Sequence, residues 1–212
     1  MLGILDYGMG NIFSLLNATR VVGFDAKIIT CPDDLDACDA LILPGVGAFQ
    51  DAMLRLKENK FIDAIHSYRQ SGKYVLGICL GMQLLGQKSF EFGEHNGLKV
   101  VKGNSLRFPS QYKDNNLIIP HIMWNKVLLN YELNNEIQLY KNISDKEFMY
   151  FVHSYYVEMK NDTEILSFTK YEGMRFCSSY QVDNIIGVQF HPEKSGKVGL
   201  QILKNFNQMI YK

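Results

Sequence analysis

The chain lacks an excess of charge, a long apolar run and paired cysteines, and each absence removes a class of function. Twenty-two basic residues balance twenty-two acidic ones, so there is no basic field to gather nucleic acid or anionic lipid. No apolar stretch approaches the roughly 20 residues needed to cross a bilayer. Met1-Leu2-Gly3-Ile4-Leu5 reads directly as a strand, without the basic and apolar regions of a signal peptide, so a cytoplasmic protein is expected. Cys31, Cys38, Cys79 and Cys177 form no Cys-x-x-Cys pair and have no histidine-rich neighbour at zinc spacing, which argues against a metal site. A disulfide framework does not suit a cytosolic chain of this size, and Cys31, Cys38 and Cys177 read as small buried or half-buried residues. Phosphate-cradling patterns (the P-loop, Gly-x-Gly-x-x-Gly), internal repeats and low-complexity tracts are also missing.

What is present is an alternation of strand and helix. A length of 212 residues suits one domain, 1–212, with a core large enough to need no staples. Residues 1–5, 26–29, 39–43 and 74–78 read as strands. Residues 12–22 read as an amphipathic helix with Phe13, Leu16 and Arg20 at helical spacing, and 49–56 and 61–70 as further helices, with Gly72 as a C-cap. Such alternation predicts a mostly parallel central sheet flanked by helices, an α/β fold. From about Gly97 the texture changes to short runs at 148–152, 165–169 and 175–180, which predict antiparallel strands added to that sheet. Residues 198–209 read as a closing helix, and 111–116 and 130–142 as exposed loops.

Two frames carry chemistry. Gly77-Ile78-Cys79-Leu80-Gly81-Met82-Gln83 runs from a buried strand into a helix predicted over 80–85, the form of a nucleophile elbow with glycines where backbone passes closely. A helix N-terminus favours a thiolate, and the Leu80 amide is placed to donate to an oxyanion. Gln189-Phe190-His191-Pro192-Glu193 follows a second apolar strand. Proline biases His191 to extended geometry, and residues two apart in extended chain share a side, so Glu193 is expected to orient His191. Cysteine, histidine and carboxylate are the minimum for acyl transfer through a thioester. Parallel sheets gather such groups at the carboxyl ends of their strands.

Together these frames resemble those of the class I (triad) glutamine amidotransferases. Three more frames narrow the resemblance to the glutaminase subunits of imidazole glycerol phosphate synthases: Asp6-Tyr7-Gly8-Met9-Gly10-Asn11, Pro44-Gly45-Val46-Gly47, and Tyr150-Phe151-Val152-His153-Ser154-Tyr155. The likeness runs from Met1 to the last helix. It implies Cys79 as nucleophile, His191 as general base and acid, and Glu193 as the carboxylate that orients it. Gln83, four residues beyond Cys79 on the same helical face, matches a position that holds substrate L-glutamine, as do Gly47, Glu91, Ser154 and Tyr155. Backbone at Val46 would give the second oxyanion donor beside Leu80. Asn11, Met123, Trp124, Asn125 and Lys194 match positions that face a partner, a synthase (cyclase) subunit of (β/α)8 fold in a heterodimer. The chain leaves no length for a synthase domain of its own, and no metal or organic cofactor is implied. Pro120-His121-Ile122-Met123-Trp124-Asn125 departs from the family's Pro-His-x-Gly-Trp-Asn at Met123.

Two other readings compete. A paralogous glutaminase feeding a sugar-modifying synthase in surface-polysaccharide assembly is slightly favoured by Met123. A non-catalytic interaction module, or a cysteine peptidase on the same architecture, is opposed by Gln83, Glu91 and the intact Cys79, His191 and Glu193 set.

Overall fold

The computed structural model describes residues 1–133 and 137–211. Its first half comprises β1 (Leu2–Leu5), α1 (Ile12–Val21), β2 (Ala26–Ile29), β3 (Ala40–Leu43), α2 (Phe49–Glu58), α3 (Phe61–Gln70), β4 (Tyr74–Ile78) and α4 (Leu80–Leu84). The strands β5 (Lys88–Ser89), β6 (His95–Asn96), β7 (Gly103–Arg107), β8 (Gln111–Tyr112), β9 (Asn115–Asn116), β10 (His121–Lys126) and β11 (Leu128–Leu129) follow. The chain continues through β12 (Phe148–His153), β13 (Tyr155–Met159), β14 (Ile165–Tyr171), β15 (Met174–Val182), β16 (Ile185–Val188) and α5 (Gly196–Ile210).

The sheet runs β2-β1-β3-β4-β16-β15-β13-β7-β5-β6. Its first five strands are mutually parallel, and antiparallel pairing begins at β15. Side chains alternate across a strand, so each parallel strand feeds two cores. Ala40, Ile42, Leu76, Ile78, Ile186 and Val188 join α1 and α5 on one face. Leu41, Leu43, Val75 and Ile185 join α2 and α3 on the other. Burial on both faces is why these strands read as continuous apolar runs. Gly72, at φ +77, follows α3 where a left-handed residue ends a helix. No helix among the described residues is long and apolar enough to cross a membrane.

Several expectations are corrected. Helix α1 buries Ile12, Leu15, Leu16 and Thr19, the i, i+3, i+4, i+7 stripe, and leaves Phe13 76% exposed; of the helically spaced Phe13, Leu16 and Arg20, only Leu16 faces the core. Strand β12 does not join the main sheet. It pairs with β10 alone, His121 opposite His153 and Trp124 opposite Tyr150. Residues 111–116 form a small hairpin of β8 and β9. In the polar stretch 130–142, Leu139 and Tyr140 are core residues and Asn130 is buried, its amide donating to the Ile165 carbonyl at 2.8 Å. Asn134, Asn135 and Glu136 lie outside the described residues. Cys38 and Cys177 are buried, but Cys31 is exposed.

Candidate active site

The loops after β1, β3, β4 and β16 all leave the carboxyl edge of the parallel sheet, bringing distant frames together there. Cys79 leaves β4 with φ 54 and ψ −111, a region a non-glycine residue occupies at a cost of about 1–3 kcal/mol. Its amide donates to the Val188 carbonyl at 2.8 Å, so β16 holds the turn from the side. The flanking glycines are needed for space. A Cβ on Gly81 would lie 1.8 Å from the Leu43 carbonyl oxygen, and one on Gly77 2.8 Å from the Gly81 oxygen.

Gly81→Ala is therefore expected to cost about 3 kcal/mol or more, because the obstructing atoms are backbone and cannot rotate away. Gly23, at φ +90 with nothing within 4 Å of its Cβ position, should lose only about 1 kcal/mol as alanine, from the backbone strain alone. Urea unfolding midpoints compare the two; equal losses would mean that the elbow has room to shift.

His191 follows β16, and its frame is stitched to β12. The His191 amide donates to the Tyr150 carbonyl at 2.9 Å, the Tyr150 amide to Ser195 Oγ at 3.0 Å, and that hydroxyl to the His191 carbonyl at 2.6 Å. Glu193 Oε1 lies 2.8 Å from His191 Nδ1, with the two side chains only 4% and 3% exposed. The reason differs from the sequence argument: His191 is extended, but Pro192–Lys194 is a turn of 3-10 helix, and that turn swings the carboxylate back to the ring. The other ring nitrogen, Nε2, is buried and makes no hydrogen bond of ordinary geometry, while Cys79 acts on the ring electrostatically. Burial alone would push the imidazole's pKa down; Cys79 and Glu193 outweigh it and lift it to about 10.

A cavity of about 260 Å³ opens beside Cys79 and His191. Val46, Gly47, Leu80, Gln83, Glu91, Ser154 and Tyr155 all line it. Gln83 Nε2 donates to the Tyr155 carbonyl at 3.0 Å and to Gln189 Oε1 at 3.1 Å. The loop carrying Val46 is held at both ends. Tyr7 donates its hydroxyl to the Pro44 carbonyl at 2.8 Å, and Glu91 Oε2 accepts from the Phe49 amide at 2.5 Å. Between these anchors Val46 is 40% exposed and Gly47 sits at φ +97. Among the described residues no group of three or more His, Cys, Asp or Glu side chains could hold a metal ion.

Four residues at the site were missed in the sequence. Pro120, Val152 and His153 line the cavity, and Gln189 Nε2 reaches Cys79 Sγ at 3.7 Å. Of these, Gln189 carried a signal, since it stands two residues before His191 in the same frame; the others enter through the pairing of β10 with β12. The residues expected to face a partner lie outside the cavity. Met123 and Trp124 are 42% and 50% exposed, and Asn11 and Lys194 are exposed. Lys194 lies over the Tyr150 ring, 5.8 Å from its centre, and Trp124 meets the same ring edge-on at 6.1 Å. Asn125 differs: it is half-buried, with its amide engaged inward by Lys170 and His121.

A buried imidazolium oriented by a carboxylate, a thiol on a strained elbow and a small cavity between them suit nucleophilic attack on an amide or ester, with a proton ready for the leaving group. The sequence profile described as "Glutamine amidotransferase class-I" matches residues 3–209. A protein named imidazole glycerol phosphate synthase subunit HisH, from Caldanaerobacter subterraneus subsp. tengcongensis, is 44% identical over 99% of this chain and 98% of its own length. One of the same name from Aquifex aeolicus is 42% identical over 97% and 95%. In fold, a crystal structure of a glutamine amidotransferase superposes with a TM-score of 0.75 at 15% identity, covering 100% of this chain and 99% of the other. The structure of PurLQS from Thermotoga maritima does so at 0.71 and 19%, covering 99% and 96%. With that profile along its length and relatives above 40% identity end to end, this chain belongs to the class-I glutamine amidotransferase family.

Proposed function

We propose that the chain is the glutaminase subunit of an imidazole glycerol phosphate synthase, supplying ammonia to a separate (β/α)8 cyclase in histidine biosynthesis. The observation that carries this reading is the end-to-end identity of 41–44% with relatives of that name. The cavity joining Cys79, His191 and Gln83 supports it. The Cys79 thiolate attacks the side-chain amide carbon of glutamine, and the tetrahedral oxyanion is met by the backbone amides of Leu80 and Val46. His191 gives its Nε2 proton to the departing nitrogen, releasing ammonia and leaving a glutamyl thioester. His191 then takes a proton from water as it attacks, and glutamate leaves with the thiolate restored. Gln83, Gly47, Glu91, Ser154 and Tyr155 hold the substrate, and Glu193 holds the imidazole. The partner docks where Trp124, Lys194, Met123 and Asn11 are exposed, with Asn125 behind them.

The loop at Val46 implies regulation. Two glycines let that peptide turn over at little cost, and one missing oxyanion donor removes about 2.7–4 kcal/mol of transition-state stabilisation. The isolated chain should therefore hydrolyse glutamine roughly 10²–10³-fold more slowly than its complex with cyclase and acceptor ligand. Steady-state hydrolysis with and without the cyclase measures this, and full activity in the free chain overturns it. Complementation of a histidine auxotroph lacking its own glutaminase subunit, with this chain's cyclase co-expressed, tests the pathway. Failure there, with co-purification of a sugar-modifying synthase, assigns the chain to the polysaccharide paralogue, the reading that Met123 favours.

A further inference from the structure

Two buried histidines outside the catalytic set link strand β10 to the cavity. His121 Nδ1 lies 3.0 Å from His153 Nε2, and His153 Nδ1 lies 2.8 Å from the Tyr155 carbonyl oxygen. Burial lowers both pKa values, to about 4 for His121 and, with the charge of His121 adding to it, about 3 for His153, so both rings are neutral near pH 7. A neutral ring has one donor and one acceptor, and a carbonyl only accepts. His153 must then carry its proton on Nδ1 and accept at Nε2, which makes His121 Nδ1 the donor and His121 Nε2 an acceptor. Asn125 meets that requirement. Its Oδ1 accepts from the Lys126 amide at 2.8 Å, which orients Nδ2 to donate to the Lys170 carbonyl at 3.0 Å and to His121 Nε2 at 3.2 Å. Every bond in the string points the same way, from Asn125 to Tyr155.

The string ends where the chemistry begins. The Tyr155 carbonyl also accepts from Gln83, and Gln83 donates to Gln189, whose amide reaches Cys79 Sγ. His121 itself is fully buried and does not line the cavity, and its hydrogen-bonded route there runs through His153.

We propose that His121 and His153 are positioning residues for glutamine hydrolysis: a one-way hydrogen-bond string that carries the set of strand β10 to the Tyr155 carbonyl, Gln83 and the nucleophile. The inference rests on the proposed glutaminase reading, and it gives docking on β10 a physical route to the cavity.

Three variants of the chain, assembled with its cyclase, test it. His121→Phe fills the space without donating or accepting. Asn125→Asp keeps the shape but replaces the outermost donor with an acceptor. Phe151→Leu loosens the packing beside His121, where the rings are 5.2 Å apart, and leaves the string intact. Both string variants should lose roughly ten- to a hundredfold in kcat/KM for glutamine, mostly through KM, because Gln83 and Tyr155 face the substrate. Ammonium-dependent synthesis should not change, and Phe151→Leu should lower Tm while keeping its kinetic constants. Imidazole nitrogen shifts should report the Nδ1–H tautomer for both histidines of the unaltered chain. An Nε2–H tautomer at either ring, normal kinetics in folded string variants, or an equal kinetic loss in Phe151→Leu overturns the proposal. Should His121→Phe not fold, the half-exposed Asn125→Asp decides. An unaltered complex inert toward glutamine would instead overturn the functional reading, and the positioning role with it.

Discussion

Cys79→Ala is expected to abolish glutamine-dependent synthesis while leaving the ammonium-dependent reaction of the assembled complex intact. The loss should be on the order of 10⁶-fold in glutamine hydrolysis, the scale on which removing the nucleophile disables a catalytic triad. No other cysteine is placed for the attack. Cys79 is the cysteine that lines the cavity, beside His191, whereas Cys38 and Cys177 are buried in the cores and Cys31 is exposed. Alanine keeps the Cβ that the backbone already accommodates at φ 54, so the variant should fold and bind its partner. Turnover measured with each nitrogen source separates the outcomes. Equal loss from both sources would make Cys79 structural, or place this chain in the second reaction.

Glu193→Gln should be nearly as damaging, on the order of 10⁴-fold in kcat, as when the buried carboxylate behind a catalytic histidine loses its charge. The side chain keeps its length, but the imidazole loses one of the two charges that raise it. Burial then weighs more heavily against the remaining pull of Cys79, and the His191 pKa should fall from about 10 toward its ordinary 6.5. The sign follows from linkage. A raised pKa contributes stability that is fully present below about pH 6.5 and is lost as pH climbs toward 10. The upper edge of that window, and the alkaline limb for a step that needs His191 protonated, should both move to lower pH in the variant. Histidine titration by NMR together with a pH–rate profile checks this. An unmoved His191 pKa would mean that Cys79 alone sustains the imidazolium.

Much of the site was legible because its signals are local. Glycine at 77 and 81, the apolar run before Cys79, and proline after His191 each constrain a few neighbouring residues, and those constraints survive folding. The gap at Pro192 is instructive: extended geometry was the right reading for His191 itself, yet the carboxylate arrives through a turn that begins one residue later. Helix α1 shows the limit of periodicity. Phe13 and Leu16 are both apolar at helical spacing, and only the position of α5 decides that Leu16 enters the core while Phe13 faces outward.

The sequence by itself determined the alternating α/β order, the two cores implied by continuous apolar strands, and the placing of Cys79, His191 and the 44–47 loop at strand ends. Period-two and period-3.6 patterns and glycine or proline turns are set by residues close in the chain. Tertiary structure alone decided that β12 leaves the main sheet to pair with β10, that Pro120 and His153 reach the cavity, and that Asn125 turns inward to the Lys170 carbonyl. Those outcomes rest on pairing across some thirty residues of intervening chain and on buried polar groups that must each find a partner. No short window of sequence contains both halves of such a pair.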